Sequence, residues 1–234
     1  MKKKIAVLGT LLMAVVITGY SVSGTYAKYV SEIDIEDEAR VAKWKIGMNK
    51  ESMETLDLFK KSYTFGENGT VVSSLDDKKV VAPGTNGQYT FALTGDIETN
   101  YKIKLTATGE NTVTTTDETG TYDPIKFYVA KDGEGITTIG DIAESKFYDF
   151  GKLKEELNKL YSGTDNKVYA PGKVDSASYT IYWKWDFGTS EDKNDRNNLL
   201  DTKLGNEIAA DATSHKINLK INIRAEQTQE KVTA

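Results

Sequence analysis

Residues 216–227, KINLKINIRAEQ, alternate without a break. Ile217, Leu219, Ile221, Ile223 and Ala225 fall on one side, and Asn218, Lys220, Asn222 and Arg224 on the other. A helix, turning about 100° per residue, would scatter those five apolar side chains around its axis; a strand gathers them into one face. The segment therefore reads as a half-buried strand, which needs antiparallel neighbours and a second layer to cover its apolar side. The pattern recurs at 178–187, with Tyr179, Ile181, Trp183, Trp185 and Phe187 on one face. It recurs at 88–94 (Tyr89, Phe91, Leu93), at 101–108 (Tyr101, Ile103, Leu105, Ala107) and at 125–129 (Ile125, Phe127, Val129). In 101–108 the lysines Lys102 and Lys104 point away from the apolar face.

Turn residues separate these runs. Asn68-Gly69 tolerates positive φ and joins 62–65 to 70–73 as a hairpin. Pro83-Gly84 and Asn86-Gly87 punctuate the approach to the next strand. One segment, 145–161, has helical spacing: Phe150, Leu153, Leu157, Leu160 and Tyr161 lie near one face, with Gly163 placed to end it. A short helical turn is expected over 198–209, and the Thr-rich, acidic 108–122 reads as a surface loop. About eight or nine strands with one inserted helix make the expected fold mainly β: an antiparallel β-sandwich, jelly-roll-like.

Composition narrows the function classes. Of 234 residues, 38% are hydrophobic and 10% aromatic, enough to build a core. Cysteine is absent, which excludes disulfides, thiolate metal sites and thiol nucleophiles. The formal net charge of −5, with no long basic run, argues against a nucleic-acid partner.

The N-terminus has the three parts of a secretory signal peptide: basic Met1-Lys2-Lys3-Lys4, apolar 5–17, and Thr25-Tyr26-Ala27 with small residues at the −3 and −1 positions. Cleavage between Ala27 and Lys28 would remove three lysines and no acid, leaving a more acidic mature chain. The competing reading is an uncleaved anchor over 5–22, which Gly9, Thr10, Thr18, Gly19 and Ser21 weaken. The expected organisation is a signal peptide at 1–27, an N-terminal arm at 28–38, a β-sandwich domain at 39–229 and a tail at 230–234.

Catalytic motifs are missing from the sequence. HExxH, GxSxG, the P-loop and GxGxxG are absent, and His215 is the one histidine, read as a solvated residue leading the last strand. A carboxylate pair for glycoside hydrolysis is available on any acidic surface and carries no signal. The loop 186–201 fails the EF-hand test from Asp192 and Asn194: Arg196 takes the third ligand position, Asn197 the glycine slot and Lys203 the place of the bidentate Glu. A different site using Asp192, Asp195 and Asp201 is weaker than a plain solvated loop. Trp183 and Trp185 share a face, which suits a sugar-stacking platform less well than core packing beside Ile181 and Phe187. No catalytic residue, metal site or cofactor is expected.

The leader runs into TYAKY, then an acidic cluster, then ARVAKWKI. This resembles the N-terminus of proteins processed by the SipW-type signal peptidase, the TasA/camelysin family of Gram-positive secreted proteins. Ala82-Pro83-Gly84, Tyr101-Lys102-Ile103, Trp183 to Phe187, Asp201-Thr202-Lys203-Leu204-Gly205-Asn206 and Arg224-Ala225-Glu226-Gln227-Thr228-Gln229 resemble further short motifs of that family. Residues 111–173 have no counterpart. The resemblance implies a jelly-roll subunit of extracellular biofilm-matrix fibres, secreted or held at the cell surface, whose mature N-terminus donates a strand to its neighbour. Its implied partners are copies of itself, a SipW-type signal peptidase during export and an accessory fibre protein, with membrane contact only through the uncleaved leader. Some relatives carry a metalloprotease label; this chain lacks a recognisable zinc-binding set, so that activity is not expected.

The arm itself fits strand donation. Tyr29, Ile33 and Ile35 share one face, and Val30, Glu32, Asp34 and Glu36 the other. Burying the three apolar side chains would contribute roughly 5–8 kcal/mol before ordering costs. The alternatives are an arm paired within its own sheet or frayed, a monomeric module binding a glycan or host protein, and a secreted hydrolase.

Overall fold

The computed structural model of the chain describes residues 44–48, 56–65, 70–74, 78–161, 167–174, 177–186, 196–211 and 213–232. The leader, Ala27, Lys28 and the arm residues Tyr29, Ile33 and Ile35 lie outside them, as do Asn68-Gly69, Gly163, Phe187, Asp192 and Asp195. In chain order the elements are β1 (Trp44–Met48), β2 (Ser62–Phe65), β3 (Thr70–Ser73), β4 (Asn86–Ile97), β5 (Tyr101–Asn111), β6 (Thr115–Asp117), β7 (Gly120–Tyr122) and β8 (Ile125–Lys131). Then follow α1 (Phe150–Lys159), β9 (Gly172–Lys173), β10 (Ser178–Trp185), α2 (Arg196–Ala210) and β11 (Ile217–Gln227). The fold is mainly β and its ladders are antiparallel, as the alternation requires.

One layer is a five-stranded sheet in the order β1-β4-β10-β8, with β9 added to β4. In it Trp44 stands opposite Ile97 and Met48 opposite Leu93, while Trp183 stands opposite both Gly87 and Phe127. The other layer is the β5–β11 ribbon, with Ile221 opposite Ala107. Phe91, Leu93, Phe127, Ile181 and Trp183 from the sheet share a core with Tyr101, Ile103, Leu105, Leu219 and Ala225 from the ribbon. β2 and β3 form the expected hairpin.

Trp183 is wholly buried at the centre of this core. Its Nε1 donates to the Leu58 carbonyl at 2.9 Å, and Phe59 and Tyr63 close on the indole at 5.2 and 5.7 Å between ring centres. Gly87 faces it because a Cβ there would stand 2.7 Å from that nitrogen. Trp185 is buried too, so the tryptophan pair packs the core and offers no sugar platform. The period-two reading leaves the other face of β10 in solvent, whereas every residue from Ile181 to Trp185 is buried. Residues 132–148 fold over that face, where Tyr182, Ala130 and Ile142 form a second small core with Phe147 against it. Lys184 is buried there between Glu144 and Asp186, its ammonium 4.5 Å from the centre of the Phe147 ring.

The helix expected from 145 starts at Phe150. The Asp149 side chain accepts the Lys152 amide at 2.8 Å and caps it, while Tyr148 is held in extended pairing with Phe127. Leu153 and Leu157 are fully buried beneath α1, and Tyr161, at φ 64, turns the chain away after it. The helical turn expected at 198–209 is a full helix, α2. The expected loop at 108–122 is also structured: β5 continues to Asn111, and β6 pairs β7 as a hairpin with Val113 and Thr115 buried beside it.

A candidate strand-docking edge

The polar clusters noted in the sequence are spent on fixing α2. Arg196 forks onto Asp117, Nε to Oδ2 at 2.7 Å and Nη2 to Oδ1 at 2.9 Å. This holds the Asp117 carboxyl far below the usual carboxylate range. Lys203 donates to the Thr116 carbonyl, and Thr115 to Glu207. Asp201, a candidate calcium ligand by sequence, turns inward instead: its Oδ1 accepts from the Tyr122 hydroxyl at 2.9 Å and from Trp185 Nε1 at 3.0 Å. Burial pushes its carboxyl up, and those two donors oppose the shift. His215 is not a solvated residue: its side chain is 12% exposed, with Nδ1 2.6 Å from Ser214 Oγ and Nε2 3.6 Å from Glu207 Oε2.

An open cleft of about 590 Å³ lies at the start of α1, lined by Asn111, Asp123, Lys126, Asp149 and Lys154 among others. Its carboxylates already have work: Asp123 accepts from Asn111, and Asp149 caps the helix. Among the described residues no group of three or more His, Cys, Asp or Glu side chains is placed to hold a metal ion. No helix among them is long and apolar enough to cross a membrane.

The feature that points outward is the backbone of the ribbon. At one end the Thr112 amide donates to the Lys216 carbonyl at 2.8 Å, and at the other the Thr228 amide donates to the Asn100 carbonyl at 3.0 Å. In an antiparallel pair, residues that exchange hydrogen bonds alternate with residues whose amide and carbonyl face away. The even-numbered residues of β11 thus bond to β5, and the odd-numbered residues of both strands direct their backbone groups to the two outer edges.

Those edges differ. On β5, Tyr101 exchanges both backbone hydrogen bonds with Tyr169, at 3.1 and 2.8 Å. The Ala107 amide donates to Asn158 Oδ1 at 2.7 Å, and Lys154 Nζ donates to the Gly109 carbonyl at 3.4 Å. Helix α1 therefore covers this edge. On β11, the outward amides and carbonyls of Ile217, Leu219, Ile221, Ile223, Ala225 and Gln227 meet no hydrogen-bonding partner among the described residues. This edge is 11 residues long and has no proline. Such an edge is a template for another strand.

β11 also ends near the start of β1. β1 begins at Trp44, opposite Ile97, and β11 ends beside the turn that follows Ile97, where Thr228 meets Asn100. Nothing in the sequence alternation told the two edges apart, because edge cover depends on where α1 returns. The chain matches no family model, no curated protein and no solved structure.

Proposed function

We propose that this chain is a secreted structural subunit that polymerises into extracellular fibres, the mature N-terminal arm of one copy adding a strand to β11 of the next. The carrying observation is that the outward backbone groups of β11, half-buried at Ile217, Ile221, Ile223 and Gln227, pair with no strand among the described residues. The alternation of 28–36 in a segment placed just before β1 supplies a donor of matching periodicity. An added strand would widen a two-stranded layer towards the four strands of a jelly-roll sheet. The contact is heterologous, arm to edge, so it repeats without closing and gives a filament. Export through the leader and its cleavage at Ala27 would couple secretion to assembly, since the tethered arm cannot dock.

Amide hydrogen exchange on the chain beginning at Lys28 tests this, with a version beginning at Ala39 beside it. In the monomer, the amides of Ile221 and Ile223 should exchange quickly and those of Lys220, Asn222 and Arg224 slowly. In fibres the odd-numbered amides should become protected, and the Ala39 version should form no fibres under electron microscopy. Fibres from the Ala39 version, or odd amides still open within fibres, would sink the proposal.

A further inference from the structure

Resting on that reading, the outer face of the ribbon suggests how a docking arm is oriented and in what register. In an otherwise acidic protein this face is basic. Register places Lys104 opposite Arg224, with Lys102, Lys216 and Lys220 on the same side, against Glu110, Glu226 and Glu230. Lys102 pairs with Glu230 and Lys216 with Glu110. Lys104 and Lys220 make no ion pair among the described residues. Arg224 Nε lies 2.8 Å from Glu226 Oε1 but out of hydrogen-bond alignment. The positive charge left without a carboxylate is therefore at Lys104 and at Lys220 on the edge strand, while Arg224 shares Glu226.

The arm presents the opposite charges at the same spacing: Glu32 and Glu36 are four residues apart, as are Lys220 and Arg224. Opposed residues in a strand pair share a face. Seating the apolar side of the arm with the inward side of β11 puts its even-numbered residues on the basic face. We propose that the arm of a second copy docks with Asp34 opposite Asn222, so that Glu32 and Glu36 flank Lys220 and Arg224 while Ile33 and Ile35 sit beside Ile221 and Ile223. Because the register is centred on Asp34 and Asn222, this set of neighbours is the same for a parallel or an antiparallel arm. Ile221 and Ile223 are half-buried at the edge of the core, and an added strand would finish covering them. A slip of one residue would put Glu32 and Glu36 towards the core. A slip of two would oppose the acids to Asn218 and Asn222 or to Asn222 and Glu226.

Because the chain has no cysteine, a cross-link reads the register directly. The Asp34→Cys, Asn222→Cys double variant should give a ladder of disulfide-linked oligomers when fibres are oxidised, and Asp34→Cys with Asn218→Cys should not. The charges are read by exchange. Lys220→Glu with Arg224→Glu, and separately Glu32→Lys with Glu36→Lys, should each slow fibre growth at low salt at least tenfold, and combining the four should restore it. Lys220→Gln with Arg224→Gln, which keeps the exposed positions polar, should assemble with a much weaker dependence on salt. If the Ala39 version forms fibres, the strand-donation reading itself fails. If the arm is required but the 34–222 pair does not cross-link, or the fourfold variant does not recover, the proposed register is wrong and strand donation stands without it.

Discussion

The β5–β11 ribbon has two edges built from the same kind of strand, and among the described residues only one of them meets hydrogen-bonding partners. The outward groups of Tyr101, Ala107 and Gly109 on β5 are met by Tyr169, Asn158 and Lys154. Those of β11 meet no hydrogen-bonding partner among the described residues. Alternation sets which side chains are buried, but completing an edge takes a segment that returns to it with donors and acceptors in step. α1 and Tyr169 do this for part of β5, and no described residue after α2 does it for β11.

The largest effect on this contrast should come from Leu157→Ala. The side chain is fully buried under α1, and the truncation should cost about 2–5 kcal/mol in urea unfolding. The Ala107 amide should then exchange faster while the odd-numbered β11 amides stay fast. Asn158→Ala removes the acceptor for Ala107 and should cost about 1–3 kcal/mol. An unchanged Ala107 amide in that variant would mean the helix is not what finishes the β5 edge.

Smaller effects should come from α2, which approaches the start of β11 through Glu207 and His215 yet covers none of it. Asp117 and Asp201 test it with opposite signs. The folded-state pKa of Asp117 is depressed by Arg196, so its contribution is present above the ordinary carboxylate range and lost as pH falls. Asp117→Asn should lower the melting temperature at pH 7 and have little effect at the acid end of a pH series. The folded-state pKa of Asp201 is raised by burial, so its contribution is present at low pH and lost as pH rises. Asp201→Asn keeps an oxygen for Tyr122 and Trp185. At pH 7 it should change stability by less than about 1 kcal/mol, and it should compare least well with the parent in acid. Neither change should protect the odd-numbered β11 amides; protection would show that α2 governs that edge.

The sequence made the inward faces of β4, β5, β8, β10 and β11 legible because burial on one side imposes alternation. It also made the β2–β3 hairpin legible, through Asn68-Gly69. It misled wherever a second contact overrode the local pattern. Ser145 to Lys146 carry helical spacing, but pairing of Tyr148 with Phe127 and the Asp149 cap delay α1. α2 was foreseen only as a turn because Asn197, Asn198, Thr202 and Asn206 dilute an apolar stripe whose buried members are Leu200 and Leu204. Residues 115–122 are Thr-rich because they form strands, and their charge is matched by Arg196 and Lys203 from a helix far along the chain. At the candidate site, the alternation of 28–36 and that of β11 are both readable. The direction of each amide is not, since that depends on pairing register.

The five register pairs of β1 with β4, from Trp44–Ile97 to Met48–Leu93, also have a mechanical meaning. If subunits are joined through the arm, tension enters the domain at Trp44 and runs along β1. A pull along the strand axis loads those pairs together, in shear, instead of peeling them apart one at a time. β4 then passes the load to β10, which is packed on both faces from Ile181 to Trp185. A fibre built this way would be strongest along its axis and weakest where the arm lies against β11.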